Sequence, residues 1–108
     1  MAMAGMECFA MASATVSNTA KSITHADFGF TATQLAQADN AIICSRVAGI
    51  MYDWHPSISP TANLGVFLAA NGSVSFPGTV SIGRLQFIRE GAADATVTVK
   101  LERRVDAA

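Results

Sequence analysis

The residues best suited to chemistry form the run Tyr52-Asp53-Trp54-His55, which holds the only tryptophan, the only tyrosine and one of the two histidines. On a strand Tyr52 and Trp54 share one face, and Asp53 points to the other. The pattern favours a strand end whose aromatic pair closes the core or an interface. A platform that stacks a carbohydrate or another ligand is a second interpretation. Catalysis by Asp53 with His55 is disfavoured, because a general base needs a nucleophile and an orienting partner, and the sequence signals neither.

The two cysteines offer a different chemistry. Cys44 lies inside the apolar run Ile42-Ile43-Cys44, where we expect a small buried hydrophobe. The alternative is a small cysteine-dependent enzyme in which His25 or His55 activates Cys44, although no local catalytic signature surrounds this cysteine. Cys8 and Cys44 can form at most one disulfide, which favours a reduced, intracellular origin.

The same side chains lack the spacing of a metal site. Neither a C-x2-C nor an H-x3-H pair is present, so no single turn presents two ligands. The sequence also contains no glycine-rich phosphate loop and no acidic calcium loop. We therefore predict no catalytic residues, no metal, no cofactor and no enzymatic activity.

Composition points instead to a protein partner. Only 14% of the 108 residues are charged, against about 25% in a typical domain, and the formal net charge is −1. The basic residues of the C-terminal third alternate with acidic ones, as on a solvated face, so we expect neither nucleic acid nor a membrane as partner. Residues 1–11 lack the basic start of a secretion signal, which stays a minor alternative, and no apolar run of about 18 residues occurs. We expect a soluble protein.

Period-two alternation and frequent turn residues predict the fold class. We predict an all-β chain: a single antiparallel β-sandwich or jelly-roll-like barrel with at most one short helical turn. The predicted organisation is an apolar arm (1–12), a β-sandwich domain (13–102) and a polar tail (103–108). The clearest strand is Ala95 to Leu101, with Ala95, Val97, Val99 and Leu101 on one face.

Other elements follow from local signals. Asn71-Gly72 predicts a hairpin between the strands on either side of it. Pro77-Gly78 predicts a turn into a strand at Thr79–Ile82, and Phe28–Phe30 is interpreted as a further strand. The capping box from Thr31 to Gln34 predicts one or two helical turns over 33–38. The apolar runs 41–47 and 50–54 are either two strands or one long strand broken at Gly49 by a bulge.

The methionine-rich start and the aromatic run supply the candidate interface. A small domain would leave the apolar arm in water unless something covers it, and methionine fills irregular apolar gaps well. Our hypothesis is that this arm packs against another chain; folding onto its own sheet, or a start codon placed a few residues early, are the alternatives. The candidate interface residues are Met3, Met6, Phe9, Met11, Tyr52 and Trp54.

The stretch from Ala41 to Arg103 carries a set of motifs in a characteristic order. They are Tyr52-Asp53, Pro60-Thr61-Ala62 with Gly65, Asn71-Gly72, Phe87-Ile88-Arg89, Ala93-Asp94-Ala95 and the strand from Thr96 to Leu101. In this order the stretch resembles small structural proteins encoded in the head-gene region of tailed bacteriophages. The Tyr-Asp-Trp-His unit replaces an Asp-Gly turn of that pattern, and the methionine-rich start has no counterpart in it.

The resemblance implies a structural virion protein, foremost a capsid decoration or cement protein on the outer capsid surface, made in the host cytoplasm. Its implied partners are the major capsid protein and copies of itself, with a trimer favoured. Another virion component, such as a tail or head-completion protein, is the alternative within the same class. A glycan- or ligand-binding β module is the alternative outside it.

Overall fold

The computed structural model describes residues 4–106, and these residues form two four-stranded antiparallel sheets with two short helices. This confirms the predicted all-β, sandwich-like class. The elements in chain order are β1 (Ala4–Val16), β2 (Lys21–Ser22), α1 (Ala32–Gln37), β3 (Asn40–Arg46), β4 (Ile50–Asp53), β5 (Val66–Leu68), β6 (Ser73–Pro77), α2 (Thr79–Ile82), β7 (Gln86–Arg89) and β8 (Ala95–Asp106).

The strands divide into a long sheet and a short sheet. The long sheet has the order β1-β8-β3-β6, and the short sheet has the order β2-β7-β4-β5. Lys21 of β2 donates a hydrogen bond to the backbone of β1, whereas the rings of Trp54 and Phe76 join the end of β4 to β6. The sandwich therefore has a β1/β2 side and a β5/β6 side.

The core lies between the sheets and follows the predicted alternation of β8. Ala95, Val97, Val99 and Leu101 are all at most 1% exposed. Thr98 lies between them on the outer face, where its hydroxyl bonds to that of Ser13 on β1 at 2.7 Å. The short sheet contributes Phe87, which is fully buried and lies 5.6 Å from the ring of Phe28.

The Asn71-Gly72 turn does not form the predicted hairpin. β5 pairs with β4 in the short sheet, and β6 pairs with β3 in the long sheet, so the turn crosses between sheets. Its polar groups bond to Ser45 of β3: the Asn71 N–H donates to the Ser45 carbonyl, and the Ser45 N–H donates to the Gly72 carbonyl. Because the chain crosses here, Leu68 enters the core from the short sheet and Phe76 enters it from the long sheet.

The chain crosses between sheets a second time at residues 47–49. β3 belongs to the long sheet and β4 to the short sheet, so the apolar runs 41–47 and 50–54 are two strands and not one strand with a bulge at Gly49. Val47 takes a positive φ of 75° at this crossing, and the Ser45 hydroxyl donates to the Ala48 carbonyl at 2.6 Å.

The predicted strand at Thr79–Ile82 is wrong, because these residues form the short helix α2. Gly78 has φ +104°, and its carbonyl accepts the Ile82 N–H at 2.9 Å. Ile82 is fully buried and Val80 is 68% exposed, so the two side chains do not share a face as a strand requires. The described chain therefore holds two short helices, one more than the sequence predicts.

The predicted helix near residue 33 is confirmed as α1. Thr31 caps it, with the Gln34 N–H donating to the Thr31 hydroxyl and the Thr31 N–H donating to the Gln34 side chain. The preceding Phe28-Gly29-Phe30 is not the strand predicted for it. Phe28 closes a turn on His25, and Gly29 has φ +70°.

The first and last strands pair with each other. β1 and β8 are antiparallel from Ala4 opposite Asp106 to Val16 opposite Ala95. The predicted limits of the arm and of the polar tail therefore fall inside β1 and β8, and the described part of the arm lies on its own sheet. Residues 4–7 and 103–106 extend past β3 as a two-stranded ribbon.

Replacing Phe87 by alanine should lower the free energy of unfolding by about 3–5 kcal/mol, because the change leaves a large cavity between the sheets. Urea denaturation monitored by circular dichroism measures this loss. Val80→Ala, at an exposed position of α2, is the control and should change the stability by less than about 0.5 kcal/mol. An equal loss in both variants would contradict the placement of the core.

Candidate protein-interaction surfaces

The aromatic run closes the sandwich on its β5/β6 side. The Trp54 ring lies 4.7 Å from that of Phe76 at 61°, and the Tyr52 ring meets Phe76 edge-on at 6.5 Å. Tyr52 is 6% exposed, whereas Trp54 is 38% exposed. Tyr52 is thus a core residue that supports Trp54. Of the two rings in the predicted stacking platform, only that of Trp54 belongs to an exposed residue.

Asp53 and His55 organise the local backbone. The Asp53 carboxylate accepts the Trp54 N–H at 2.7 Å. The His55 Nδ1 accepts the N–H groups of Ser57 and Ile58 at 3.1 and 3.0 Å. These bonds hold the start of the loop that leads to β5.

Cys44 lies half-buried on the outer face of the long sheet, between Ser73 and Thr98 in the register. Within residues 4–106 no hydrogen bond joins it to a histidine. The His25 Nδ1 accepts the Asp27 N–H at 3.0 Å, and His55 bonds to its own loop. The same residues contain no group of three or more Cys, His, Asp or Glu side chains placed to hold a metal ion.

The arm residues divide between surface and core. Met6 is 45% exposed and Met11 is 63% exposed. Phe9 packs against the core, and the Arg103 guanidinium lies over its ring at 5.1 Å. Met3 lies outside the described residues. The structure does not bring the arm and the aromatic run together, because β1 lies on the opposite side of the sandwich from Trp54.

A segment rich in exposed apolar side chains begins at Trp54. We call it the rim, and its exposed apolar residues are Trp54 (38% exposed), Ile58 (48%), Leu64 (51%), Val66 (41%) and Phe67 (56%). Val66 and Phe67 are consecutive on β5, so they point to opposite faces of the short sheet. The rim follows the loop after β4 and the edge strand β5. Residues 54–83 contain no Asp, Glu, Lys or Arg, and this gap in the charge pattern is the sequence signal that could have identified the rim.

The rim has the composition of an interface core. Such cores are depleted in charge and enriched in aromatic side chains. Met51 and Ile88 are opposite each other in the register next to Phe67, and both are at most 9% exposed. Phe67 therefore lies next to a buried apolar pair, while the residue itself is 56% exposed.

Comparisons with protein-family models, with curated proteins and with solved structures find no match to this chain. Among residues 4–106, no helix is long and apolar enough to cross a membrane.

Burial raises the pKa of the Tyr52 hydroxyl above its ordinary value of about 10. Because the folded chain holds the neutral phenol, its contribution to stability is complete below that ordinary pKa and is lost as pH rises through the folded value. Tyr52 is the only tyrosine, so the absorbance of its phenolate can be titrated directly. We expect ionisation at higher pH in the folded chain than in urea. Coincident titrations would contradict the burial of this ring.

Proposed function

We propose that the chain is a structural virion protein that decorates a capsid and stabilises it by binding neighbouring major capsid subunits. The observation that carries the proposal is the rim, an uncharged segment whose large apolar side chains are exposed at one end of the sandwich. Proteins of this type act through buried surface alone, and a symmetric shell repeats each modest contact many times.

The rim can supply the required contact. Fully burying one large apolar side chain contributes about 1.5–3 kcal/mol, and the five rim residues are each only partly exposed. They sit close together in sequence, between the end of β4 and β5, so one concave partner surface could cover several of them. Trp54 already has its inner edge against Phe76, which reduces the entropy lost on binding.

Two of the motifs behind the phage resemblance adjoin the rim. Tyr52-Asp53 ends β4, and Pro60-Thr61-Ala62 with Gly65 shapes the loop that carries Ile58 and Leu64. Pro60 is buried, and the space where a Gly65 side chain would begin lies 3.4 Å from it. These residues support the proposal by holding the loop against the sheet, with its apolar side chains outward.

The test is binding of the purified protein to capsid shells that lack it. The double variant Leu64→Ser/Phe67→Ser should bind at least tenfold more weakly, because central apolar residues dominate interface energies. The control is Val105→Ser, which removes an exposed apolar side chain on the far ribbon and should bind as the unmodified chain does.

Copy number separates the proposed role from its nearest alternative. A decoration protein should be present in intact particles at a number comparable to that of the shell subunits, which quantitative gel analysis measures. A few copies per particle would indicate a tail or head-completion component. Recovery only from the cytosol of infected cells, or undiminished binding of the rim variant, would refute the proposal.

A further inference from the structure

β1 is an edge strand, and half of its backbone groups face away from β8. The Thr15 carbonyl accepts a hydrogen bond from the Lys21 ammonium at 2.7 Å, so it points to the free edge. The Glu102 carbonyl of β8 accepts the Asp39 N–H at 2.8 Å and so points toward β3. Because backbone groups alternate in direction along a strand, the N–H and C=O groups of Leu101, Val99 and Val97 of β8 point toward β1.

The register identifies which residues of β1 present their backbone to solvent. Ala10, Ala12 and Ala14 lie opposite the β8 residues whose backbone groups point toward β1. Their own N–H and C=O groups are therefore used in pairing with β8. A bulge at Phe9 shifts the register by one residue, and beyond it Cys8 lies opposite Glu102. The residues with free N–H and C=O groups are therefore Met6, Cys8, Met11 and Ser13, together with the Thr15 N–H.

This free edge has few of the features that keep edges apart. Edges are usually protected by proline, charged side chains, lysines or bulges, and within its open stretch β1 has a bulge at Phe9. β1 contains no proline and no basic residue, and its one acid, Glu7, is paired with Arg103 at 2.6 Å. Lys21 covers only the end at Thr15. The stretch from Met6 to Ser13 is open, and the four free-edge residues in it are all exposed.

We propose that this edge binds a second copy of the same chain, with the two β1 strands antiparallel about a two-fold axis. The midpoint of the open stretch falls between Phe9 and Ala10. In that register Cys8 lies opposite Met11 of the second copy, and Met6 lies opposite its Ser13. Four residue pairs then exchange two backbone hydrogen bonds each, or about eight in total. This total is within the range of about 10 ± 5 hydrogen bonds seen in protein interfaces.

The bulge favours a copy over an unrelated strand. A regular strand could not stay hydrogen-bonded to β1 past Phe9. Residues that point to the same edge are an even number of positions apart in a regular strand, whereas the bulge puts Cys8 and Met11 three positions apart. A second β1 carries the same bulge at the same distance from the axis. The one charged side chain of the open stretch, Glu7, is paired with Arg103 of its own chain, which limits like-charge repulsion between the two copies. The contact is isologous and closes at two chains.

The first test is the mass of the purified protein, which needs no capsid and is therefore independent of the proposed virion role. Sedimentation equilibrium should give a dimer that dissociates on dilution. Ser13→Pro removes a free-edge N–H, a position where strands tolerate proline, and Met11→Lys places a charge on the edge. Both variants should be monomeric, and the midpoint of their thermal unfolding should match that of the folded chain after dissociation. Val80→Lys, an equally exposed control on α2, should remain dimeric.

The second test addresses the register. In a Cys44→Ala background, Met11→Cys places a thiol opposite Cys8 of the second copy, within the Cα distance of about 4.4–6.8 Å that a disulfide spans. Mild oxidation should yield a covalent dimer that a reducing agent splits. Adding Cys8→Ser should abolish it. A wild-type chain that is monomeric up to about 1 mM, a trimer, edge variants that stay dimeric, or cross-linking unaffected by Cys8→Ser would each overturn the proposal.

Discussion

The fold depends on β8 pairing on both of its edges while its apolar residues all face one way. β8 pairs with β1 along its whole length and with β3 from Thr96 to Glu102. A shift of its register by one residue against either neighbour would move the side chains of Val97 and Val99 from the core to the solvent face. The bulge at Phe9 accommodates one extra residue of β1, so β1 and β8 stay paired on both sides of it with the register shifted by one. It also puts Phe9 against the core, where Arg103 covers the ring, so the ribbon beyond the sheet is attached by packing as well as by backbone bonds.

Local signals predicted the elements that local interactions determine. The alternation from Ala95 to Leu101 and the capping box at Thr31 are both present in the structure, because each depends on residues within a few positions. The partners of the strands could not be predicted, since Asn71-Gly72 signals a reversal of the chain and not the sheet that follows it. At Thr79–Ile82 a four-residue alternating pattern is too short to separate a helix from a strand, and a contact from outside the segment accompanies the helix: the distant Ala38 carbonyl accepts the Thr79 hydroxyl at 2.6 Å.

The candidate surfaces were predictable in part. Exposure of Met6, Met11 and Trp54 agrees with their selection as interface residues, although no contact with a partner tests that role. Alternation correctly paired Tyr52 with Trp54, but it could not show that Phe76 from the other sheet would cover Tyr52. The rest of the rim was missed because its residues lie in a loop and a three-residue strand, where no periodicity marks a face. The absence of charge from residue 54 to residue 83 was visible and carried the information that periodicity lacked.

The rim and the free edge of β1 lie on opposite sides of the sandwich, and this separation has a consequence for assembly. A contact through β1 leaves both rims of a dimer open, because the rim belongs to the β5/β6 side. The two rims would then be related by the same two-fold axis and held at a fixed distance by a continuous eight-stranded sheet. Each rim contact would raise the effective concentration of the other, so a dimer could bridge two neighbouring subunits more tightly than one chain binds. A low charge content serves both contacts, since each requires a surface that loses little hydration when it is covered.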